Sequence, residues 1–565
     1  MAIMSGAQAV MESLLSHGVR YIFGNPGTTE APFMVALERY PQLTYVLGLQ
    51  EAGVMGMADG YARATDTAGH NRVAIAHLHG SAGLANGLSG LYNAYRGGTP
   101  LLVLAGQSDT RTYQQEPALW ADLVPMARPF TKWATEVLHA TDLPMVLRRA
   151  FKVATQPPSG PVFVSLPMNV LEESADIESL SPATVYTRTR PDHQGLLRAA
   201  ELLGAAEHPL LLFGDRVAQS GAQAEALQLA ERLGAPVYAV YHSEQVFPTD
   251  HPLFRGVLSP WFSTSLHMLR EADVVLAVGA DVLTPFLYRP RDAFGPTTTL
   301  LHLDSSPWAV DMIYAAEVGL VGDPKTGLAE LLAEIEMRLS AKHHDRAQER
   351  IRTAAQESRQ RRETFVAEAR ASWETDAAQN APIAPARLTL TLADALPENA
   401  VIIDEALTTS PPLHRSLTFS RPGDFYFLRG GAIGWGCGAA IGVALAQPER
   451  KVVAVIGDGS ALYAIQALWT AARLRLPITY ILCNNSSYRI LKVNLIRHLG
   501  EEATADLAFL GTDLGDPEID FTRIAEGLGL RAWRVEQSDA LRGALDDALN
   551  TDGPTLVDVI IDGSL

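Results

Sequence analysis

The chain has only two cysteines, Cys437 and Cys483, in 565 residues. Two cysteines cannot build a disulfide framework or a zinc site on their own. Cys483 ends an apolar, strand-like segment and Cys437 lies in a glycine-rich one, so we expect both to be buried free thiols. Free thiols are typical of a reducing compartment, which makes the cytoplasm the predicted location.

The chain also lacks long apolar runs and an excess of basic residues. No apolar segment is long enough to span a membrane, and the start, MAIMSGAQAV, has no basic region followed by a long apolar core. The net charge is −18, and no basic stripe offsets it. This balance argues against a nucleic-acid partner. The composition, with 47% hydrophobic and 19% charged residues, is typical of a globular enzyme.

The length predicts several domains, and the apolar segments divide the chain into three α/β blocks. In the first, residues 1–172, short apolar strands such as YIFG and LLVLAG alternate with helical patterns, which predicts a parallel sheet. The second block covers 193–337 and the third 384–565. The strands predicted in the second block lie near 210–213, 236–240, 274–278 and 299–303.

Two connecting segments separate these blocks. Residues 172–193 lose periodicity and are predicted to form a linker. Residues 337–380 are charged and helical in pattern, which indicates a solvated connecting helix rather than a binding face.

The first and third blocks resemble each other. The first reads HGSA from residue 79, then a helical segment, then TP before a strand. The third reads DGSA from residue 458, then a helical segment, then LP before a strand. Duplication of one doubly wound domain would suit an enzyme that holds a long cofactor between two similar domains. Chance similarity of two βαβ units is the alternative.

Polar residues follow two neighbouring predicted strands in the third block. Asp458 follows KVVAVIG, and Asn485 follows TYILCN. The carboxyl ends of parallel strands line the ligand crevice of an open α/β sheet. Carboxylate, amide and carbonyl oxygens are the ligands that Mg²⁺ or Ca²⁺ takes when it also holds phosphates. An ordinary βαβ unit with an aspartate in its turn is the other interpretation.

The spacing of GDG and NN resembles the signature of thiamin-diphosphate (ThDP) enzymes. Three further segments carry the resemblance: FGNPGTTE from residue 23, LQEA from residue 49 and GGAIGWG from residue 430. The chain is similar over nearly its whole length to the 2-oxoacid decarboxylase and acetohydroxyacid synthase group. Within this group the benzoylformate decarboxylases are the most similar branch. The resemblance implies three doubly wound parallel-sheet domains: pyrimidine-binding, central and diphosphate-binding. It also implies active sites between subunits, hence a homo-oligomer, in most members a dimer of dimers.

The resemblance also implies roles for individual residues. Glu51 matches the carboxylate that contacts N1′ of the aminopyrimidine. Ile433 matches the aliphatic residue that supports the bent cofactor, and the Gly431 carbonyl matches the acceptor for its amino group. The metal ligands implied are the side chains of Asp458 and Asn485 and the carbonyl of Ser487. The remaining cofactor-binding candidates are Asn25, Thr408, Gly459 and Ser460.

Two N-terminal residues bear on the chemistry. His79 matches a histidine of the benzoylformate decarboxylase branch at a position where the synthases generally have none. An imidazole there can hold a substrate carboxylate and relay protons. Thr28 matches a small hydroxyl residue that contacts the substrate carboxylate. His77 is interpreted as structural.

The predicted substrate pocket departs from the pattern of that branch. Phe286 stands where a second catalytic histidine is expected, and a phenyl ring cannot relay a proton. Trp120 replaces a leucine and Asn494 an aromatic residue, while Phe427 is predicted to be a further wall of the pocket. Arg489 is either a solvent-facing helix residue or an anion contact.

These residues predict a ThDP- and Mg²⁺-dependent lyase. It removes CO₂ from a 2-oxo acid with an aromatic or branched side chain, with carboligase side activity. One alternative is a carboligase or C–C lyase that resembles acetolactate synthase or a 2-hydroxyacyl-CoA lyase; His79 argues against it and Phe286 for it. Another is a non-catalytic protein of this fold. The central domain is predicted to be structural, although Asp304 at a strand end could hold a ribose.

Overall fold

The computed structural model describes residues 2–65, 73–178, 181–182, 184–258, 266–288, 293–379 and 382–565. Strand β1 (Ala2–Ser5) starts the chain and pairs antiparallel with a later strand, residues 174–177. Three parallel six-stranded sheets follow, one in each block, which confirms the predicted α/β fold. Within the described residues, no helix combines the length and the apolarity that a membrane crossing requires.

The first sheet lies in the N-terminal block, where wholly buried apolar strands occupy its centre. Its strands are β2 (Tyr21–Gly24), β3 (Thr44–Leu47), β4 (Ala74–Leu78), β5 (Leu101–Gln107), β6 (Trp133–Glu136) and β7 (Val162–Pro167), and β8 (Ser174–Ile177) is the partner of β1. Its helices are α1 (Gly6–Ser16), α2 (Ala31–Leu37), α3 (Glu51–Ala64), α4 (Gly80–Gly97), α5 (Leu123–Ala127), α6 (Leu143–Thr155) and α7 (Met168–Glu172).

The second sheet forms the central block, and one long helix leads away from it. The strands are β9 (Pro209–Phe213), β10 (Val237–Val240), β11 (Phe254–Leu258), β12 (Val274–Val278), β13 (Thr299–Asp304) and β14 (Val318–Val321). The helices are α8 (His193–Ala205), α9 (Asp215–Gln219), α10 (Gln223–Leu233), α11 (His267–Glu271) and α12 (Pro324–Glu336), and the connecting helix is α13 (Ala341–Gln379).

The third sheet forms the C-terminal block. Its strands are β15 (Val401–Glu405), β16 (Phe425–Phe427), β17 (Val452–Gly457), β18 (Ile478–Asn484), β19 (Arg531–Val535) and β20 (Thr555–Ile560). Its helices are α14 (Pro385–Ala395), α15 (Ser410–Ser416), α16 (Gly436–Ala446), α17 (Asp458–Ala461), α18 (Ala467–Leu474), α19 (Arg489–Leu499), α20 (Glu501–Thr504), α21 (Phe521–Gly527) and α22 (Leu541–Asn550).

The strand orders show which blocks are alike. The first sheet is ordered β3-β2-β4-β5-β7-β6 and the third β16-β15-β17-β18-β20-β19. Numbered within each sheet by chain position, both orders read 2-1-3-4-6-5, as duplication of one domain would produce. The central sheet, β11-β10-β9-β12-β13-β14, reads 3-2-1-4-5-6. That order is the one found in dinucleotide-binding folds.

Helices α3 and α16 join the first and third blocks through glycines. A methyl group added at Gly56 would lie 2.8 Å from the Trp435 carbonyl oxygen. Methyl groups at Gly60 and Gly442 would overlap the backbone of the facing helix, so neither position has room for a side chain. The two helices therefore touch backbone to backbone in the main buried core.

Several element predictions differ from the structure. The linker predicted at 172–193 contains strand β8; residues 179, 180 and 183 of that segment lie outside the described residues. The helix expected after Asp458 is interrupted between α17 and α18. The connecting helix is observed as α13, and residue 380, its predicted end, lies outside the described residues. The domain bounds 1–172, 193–337 and 384–565 stay a prediction.

Candidate active site

A cavity of about 300 Å³ opens at the carboxyl edge of the third sheet. This is the edge at which open α/β sheets bind ligands. Every C-terminal residue predicted for the site lines the cavity, and Phe286 joins them from the central block. The lining residues are Phe286, Ala406, Leu407, Thr408, Phe427, Leu428, Gly431, Ile433, Gly457, Asp458, Gly459, Ser460, Tyr463, Cys483, Asn485, Ser487, Tyr488, Arg489, Ile490, Leu491 and Asn494.

Asp458 has a buried carboxylate with an unpaired oxygen. It begins α17 directly after β17, and its Oδ2 atom has no hydrogen-bond partner among the described residues. Burial raises the pKa of Asp458 to about 6, although backbone N–H groups of Gly459, Ser487 and Ser486 act in the opposite direction. A buried carboxylate oxygen without a partner is costly unless a cation binds it.

The loop after β18 brings further oxygens to the same cavity. Asn485 and Ser487 both line it, and the Asn485 Oδ1 atom accepts a hydrogen bond from the Ser487 backbone N–H at 3.0 Å. Ser486, between them, has a φ of +51°, which makes the turn tight. No group of three His, Cys, Asp or Glu side chains suited to a metal occurs in the described part of the chain. A cation here would therefore rely on one carboxylate with amide and carbonyl oxygens, a donor set that suits Mg²⁺.

Hydroxyl groups and a glycine lie beside these oxygens. Thr408 is in the short turn after β15, and Ser460 is in the first turn of α17. A methyl group added at Gly459 would overlap the Tyr488 ring, so only glycine fits there. These donors offer hydrogen bonds to an anionic group next to the candidate metal ligands.

The turn between β16 and α16 forms another wall. Gly431 and Gly434 have φ values of +94° and +97°, a backbone conformation that favours glycine. Ile433, between them, is half-buried and lines the cavity.

Arg489 and Trp120 complete the set of predicted positions. Arg489 lines the cavity, and its Nε donates a hydrogen bond to the Ser564 carbonyl at 2.7 Å. It is therefore neither simply a solvent-facing helix residue nor simply an anion contact. Trp120 packs against Tyr113, with 5.7 Å between ring centroids, and is not among the lining residues of this chain.

A second cluster of predicted residues lies in the N-terminal block. Glu51 is the first residue of α3, and its side chain is buried. Its carboxylate accepts hydrogen bonds from the Asn25 amide at 3.3 Å and from the Asn86 amide at 3.1 Å. The two amides fix the direction of the carboxylate.

His79 is held in this cluster by Glu30, a residue that the sequence did not single out. The His79 Nδ1 atom lies 3.0 Å from the Glu30 carboxylate, which is fully buried. The same carboxylate accepts from the backbone N–H groups of Gly27, Gly80 and Gly106 at 2.9–3.0 Å. Glu30 therefore ties His79 to the loop that carries Thr28. The segment GTTE contained a clue to this role of Glu30. The Glu30 carboxylate accepts a hydrogen bond from the backbone N–H of Gly27, only three residues earlier in the chain.

Three sequence models of thiamine pyrophosphate enzyme domains match the chain. They are the N-terminal TPP binding domain over residues 4–126, the central domain over 196–331 and the C-terminal TPP binding domain over 409–559. The benzoylformate decarboxylase of Pseudomonas aeruginosa is 32% identical over 557 residues, with 98% of each chain covered. The chain belongs to the thiamine pyrophosphate enzyme family. It is an enzyme of this family, as its motifs predict, and thiamine pyrophosphate is another name for ThDP.

Other relatives in the family have different activities. The acetolactate synthase isozyme 3 large subunit of Escherichia coli is 29% identical, covering 100% of this chain and 96% of that one. A solved structure, the thiamine diphosphate-dependent 4-hydroxybenzoylformate decarboxylase of Rhodococcus jostii RHA1, has a TM-score of 0.84 and 29% identity, with 99% of each chain covered. The predicted resemblance to this family is confirmed.

No residue of the N-terminal block is among those that line the cavity, within the described chain. The enzyme therefore carries two separate clusters: Asp458 and its neighbours in one, and Glu51, Thr28 and His79 in the other. Apolar side chains at each cluster are about half exposed, namely Phe286, Tyr463, Leu491, Leu49 and Leu119.

The crevice of the central domain is filled by ion pairs. Arg216, just beyond β9, contacts Asp304 at 2.7 Å and Asp281 at 2.8 Å. Arg429 of the C-terminal domain contacts Asp215 at 2.9 Å and Asp281 at 3.0 Å. These side chains occupy the point between β9 and β12 where the strand order reverses and where such folds bind dinucleotides. Asp304 thus pairs with Arg216, and the structural role of this domain stays a prediction.

Proposed function

We propose that this thiamine pyrophosphate enzyme decarboxylates a 2-oxo acid with an aromatic or branched apolar side chain. The carboxylate leaves as CO₂, and a proton takes its place on the neighbouring carbon, so that the product is an aldehyde. The observation that carries the proposal is the Glu30–His79 pair, because it fixes an imidazole beside the Thr28 loop and close to the Glu51 cluster.

The residues of the cavity fit ThDP and Mg²⁺. The unpaired Oδ2 atom of buried Asp458 calls for a cation, and Asn485 and the Ser487 carbonyl would complete its protein ligands. Thr408, Gly459 and Ser460 would bind the diphosphate, while Gly431 and Ile433 would contact the pyrimidine and the bend of the cofactor. When bound, ThDP would supply a nucleophilic carbon for the substrate carbonyl and a cationic ring that takes up the electron pair of the broken carbon–carbon bond.

The N-terminal cluster supplies the proton chemistry. Glu51, oriented by Asn25 and Asn86, would hold a proton at N1′ of the pyrimidine. His79 would bind the substrate carboxylate together with the Thr28 hydroxyl and later deliver a proton to the product carbon. Glu30 accepts from Nδ1 and leaves Nε2 for the substrate.

The composition of the pocket wall supports the substrate class. Phe286, Phe427, Leu428, Ile490 and Leu491 make the wall largely apolar, which suits an aromatic or branched group. Asn494 lies about 7.5 Å along α19 from its first residue, since a helix rises 1.5 Å per residue. Its amide lines the cavity and would favour a substrate with a polar group at the far end. Trp120 of a second copy would add to this wall.

Phe286 supports the second candidate function, a carboligase. It lines the cavity and cannot carry a proton. Release of the aldehyde then depends on His79, and a second aldehyde can be captured as a 2-hydroxy ketone before release. We therefore propose carboligation as a side activity.

A second copy of the chain would complete the site. The two clusters are separate within one chain, and each has half-exposed apolar side chains that another copy could cover. We propose a homo-oligomer, built as a dimer of dimers, in which Glu51 of one chain serves the cavity of another. The two buried free thiols suit the cytoplasm, which we propose as its compartment.

The substrate proposal is tested by a screen of 2-oxo acids for CO₂ release, with and without an acceptor aldehyde. The panel includes benzoylformate, 4-hydroxybenzoylformate, a branched aliphatic 2-oxo acid and pyruvate. We expect aldehyde from an aromatic or branched member, faster than from pyruvate. His79→Ala should slow aldehyde release strongly. No CO₂ from any member would rule the proposal out, and acetolactate formed from pyruvate alone would favour a synthase.

The metal proposal is tested by calorimetric titration of ThDP into chelated protein, with and without added Mg²⁺. Binding should require Mg²⁺ and should be lost in Asp458→Ala. The control Asp506→Ala removes an exposed carboxylate from the same domain and should bind as the wild type does. Undiminished binding without any metal would refute the role of Asp458.

A further inference from the structure

The turn that carries Ile433 consists mainly of glycines and needs to be held from outside. It reads Gly430-Gly431-Ala432-Ile433-Gly434-Trp435-Gly436, and two of its glycines have left-handed backbone conformations. Glycine loses more conformational freedom on ordering than any other residue. Contacts with other parts of the chain must therefore fix the place of Ile433.

One of these contacts comes from Asn93, in α4 of the N-terminal domain. Its amide donates to the Ala432 carbonyl at 2.7 Å, and its oxygen accepts from the Ala432 N–H at 3.1 Å. This pair of bonds holds the residue just before Ile433 across the domain boundary.

The other contact is Glu405, the last residue of β15, whose side chain is fully buried. Its Oε1 atom accepts from the N–H groups of Gly434 at 2.7 Å and Trp435 at 3.2 Å, and its Oε2 atom from Gly436 at 2.6 Å. These N–H groups stand at the start of α16, where a helix has no internal acceptors for them. A methyl group on Gly436 would lie 2.8 Å from Oε2, so a side chain there would push the carboxylate away.

An acid at this depth is costly for folding. Burial raises the pKa of Glu405 to about 7, although the three N–H groups oppose this effect, and neighbouring Asp404 adds to it. The nearby Cys437 thiol is also buried. Buried acids with a strongly raised pKa, which cost folding free energy, are typical of functional sites.

We propose that Glu405 is a positioning residue for the cofactor: together with Asn93 it clamps the turn on both sides of Ile433. The clamp sets the Gly431 carbonyl and the Ile433 side chain in the cavity before ThDP arrives. The inference rests on the proposed binding of ThDP in this cavity, and it adds a residue that does not itself touch the cofactor.

Glu405→Gln tests the proposal, because glutamine keeps the size but puts an NH₂ group against at least one of the three N–H donors. ThDP is titrated into cofactor-free protein with Mg²⁺ by calorimetry, and thermal unfolding of the same protein is measured without ThDP. We expect ThDP affinity to fall roughly tenfold or more, which corresponds to the free energy of one charge-assisted hydrogen bond. Turnover at saturating ThDP should fall as well.

Asp304→Asn is the matched control, because Asp304 is another fully buried carboxylate that accepts a backbone N–H, but in the central domain. It should lower the unfolding temperature and leave ThDP affinity unchanged. Wild-type affinity in Glu405→Gln, or an equal loss in Asp304→Asn, would overturn the proposal. If Glu405→Gln does not fold, Glu405→Asp keeps the charge but cannot span all three donors, and its ThDP affinity decides the question. A wild-type protein that binds no ThDP would instead refute the proposed function.

Discussion

Glu30 and Glu51 are both buried in the N-terminal cluster, but their different hydrogen-bond partners indicate different roles. Glu51 meets two side-chain amides, whereas Glu30 meets three backbone N–H groups and His79. Burial acts to raise the pKa of Glu30, but the electrostatic interaction with His77 and the hydrogen bonds from His79, Gly80 and Thr29 outweigh it and lower the pKa. The lowered pKa keeps Glu30 ionised, and under the proposed function it would act on the reaction through His79.

Replacing Glu30 by glutamine should slow aldehyde release by roughly 10- to 100-fold, by analogy with the loss of a carboxylate that orients a metal-binding histidine. ThDP affinity should stay the same, because Glu30 does not line the cofactor cavity. Steady-state kinetics and ThDP titration measure the two effects. Glu38→Gln, at an exposed position just after α2, is the control. Unchanged turnover in Glu30→Gln would show that His79 needs no such partner.

Residues with a fixed local spacing could be read from the sequence, and residues paired over long distances could not. Asp458 and Asn485 follow apolar strands, so their convergence at one sheet edge was predictable. Glu405 and Asn93 were not, because their partners lie 29–31 and 339 positions away. Nothing local distinguishes either residue from an ordinary strand-end acid or helix amide.

At the scale of elements, the apolar strands were predicted well and the amphipathic ones poorly. β2 and β12 match their predicted segments to the residue, since strands buried on both faces are continuous apolar runs. β6 was missed because none of its residues is fully buried and its letters, WATE, have no apolar run. The break between α17 and α18 was missed because the letters ALYAIQALWTAA look like one continuous helix.

The contact of α3 with α16 makes a prediction about single methyl groups. Gly442→Ala places a methyl group against the Met57 carbonyl, and it should cost about 2 kcal/mol or more of unfolding free energy. Gly543→Ala, in α22, meets no atom within 4 Å and should stabilise by about 0.5–1 kcal/mol, because alanine favours helix. Urea unfolding of both variants checks the pair. Equal effects of the two substitutions would mean that the helices are not in backbone contact.

For the whole molecule, the separation of the two clusters leads to a test by mixing. Glu51→Gln and Asp458→Ala should each be inactive, since each damages one cluster. Unfolded and refolded together, they should regain about a quarter of wild-type activity, because half of the dimers are hybrids and each hybrid has one intact site. Hybrids are isolated by two affinity tags and assayed. Active hybrids would support sites shared between chains; inactive hybrids would place each site within one chain.

Two buried histidines are expected to make the fold more sensitive to acid. His242, beside His414 and Arg429, has its pKa lowered to about 3, chiefly by burial, and burial lowers that of His77 to about 4. In the unfolded chain both titrate near 6.5. Below that pH each of these histidines binds a proton in the unfolded chain but not in the folded one, so its contribution to stability falls as the pH drops. The raised pKa values of Glu405 and Asp458 act in the opposite direction. Each histidine should remove on the order of 1 kcal/mol by pH 5.5.

Thermal or urea unfolding between pH 7.5 and 5.5 measures this acid sensitivity. His242→Gln should gain stability relative to the wild type as the pH drops over this range, because glutamine does not titrate. His344→Gln changes an exposed histidine on α13 and should leave the loss as it is in the wild type. An unaltered pH dependence in His242→Gln would assign the acid sensitivity to other groups.

The glycine contact between α3 and α16 also limits how this enzyme can evolve. An interface built from side chains can adapt through many small substitutions. Where two backbones touch, any residue larger than glycine disrupts the packing. We therefore expect few tolerated substitutions at this contact and little change in the relative placement of the two domains. New substrate preferences must arise elsewhere, in the segment around Phe286 and in α19, where half-exposed side chains can vary without moving the frame.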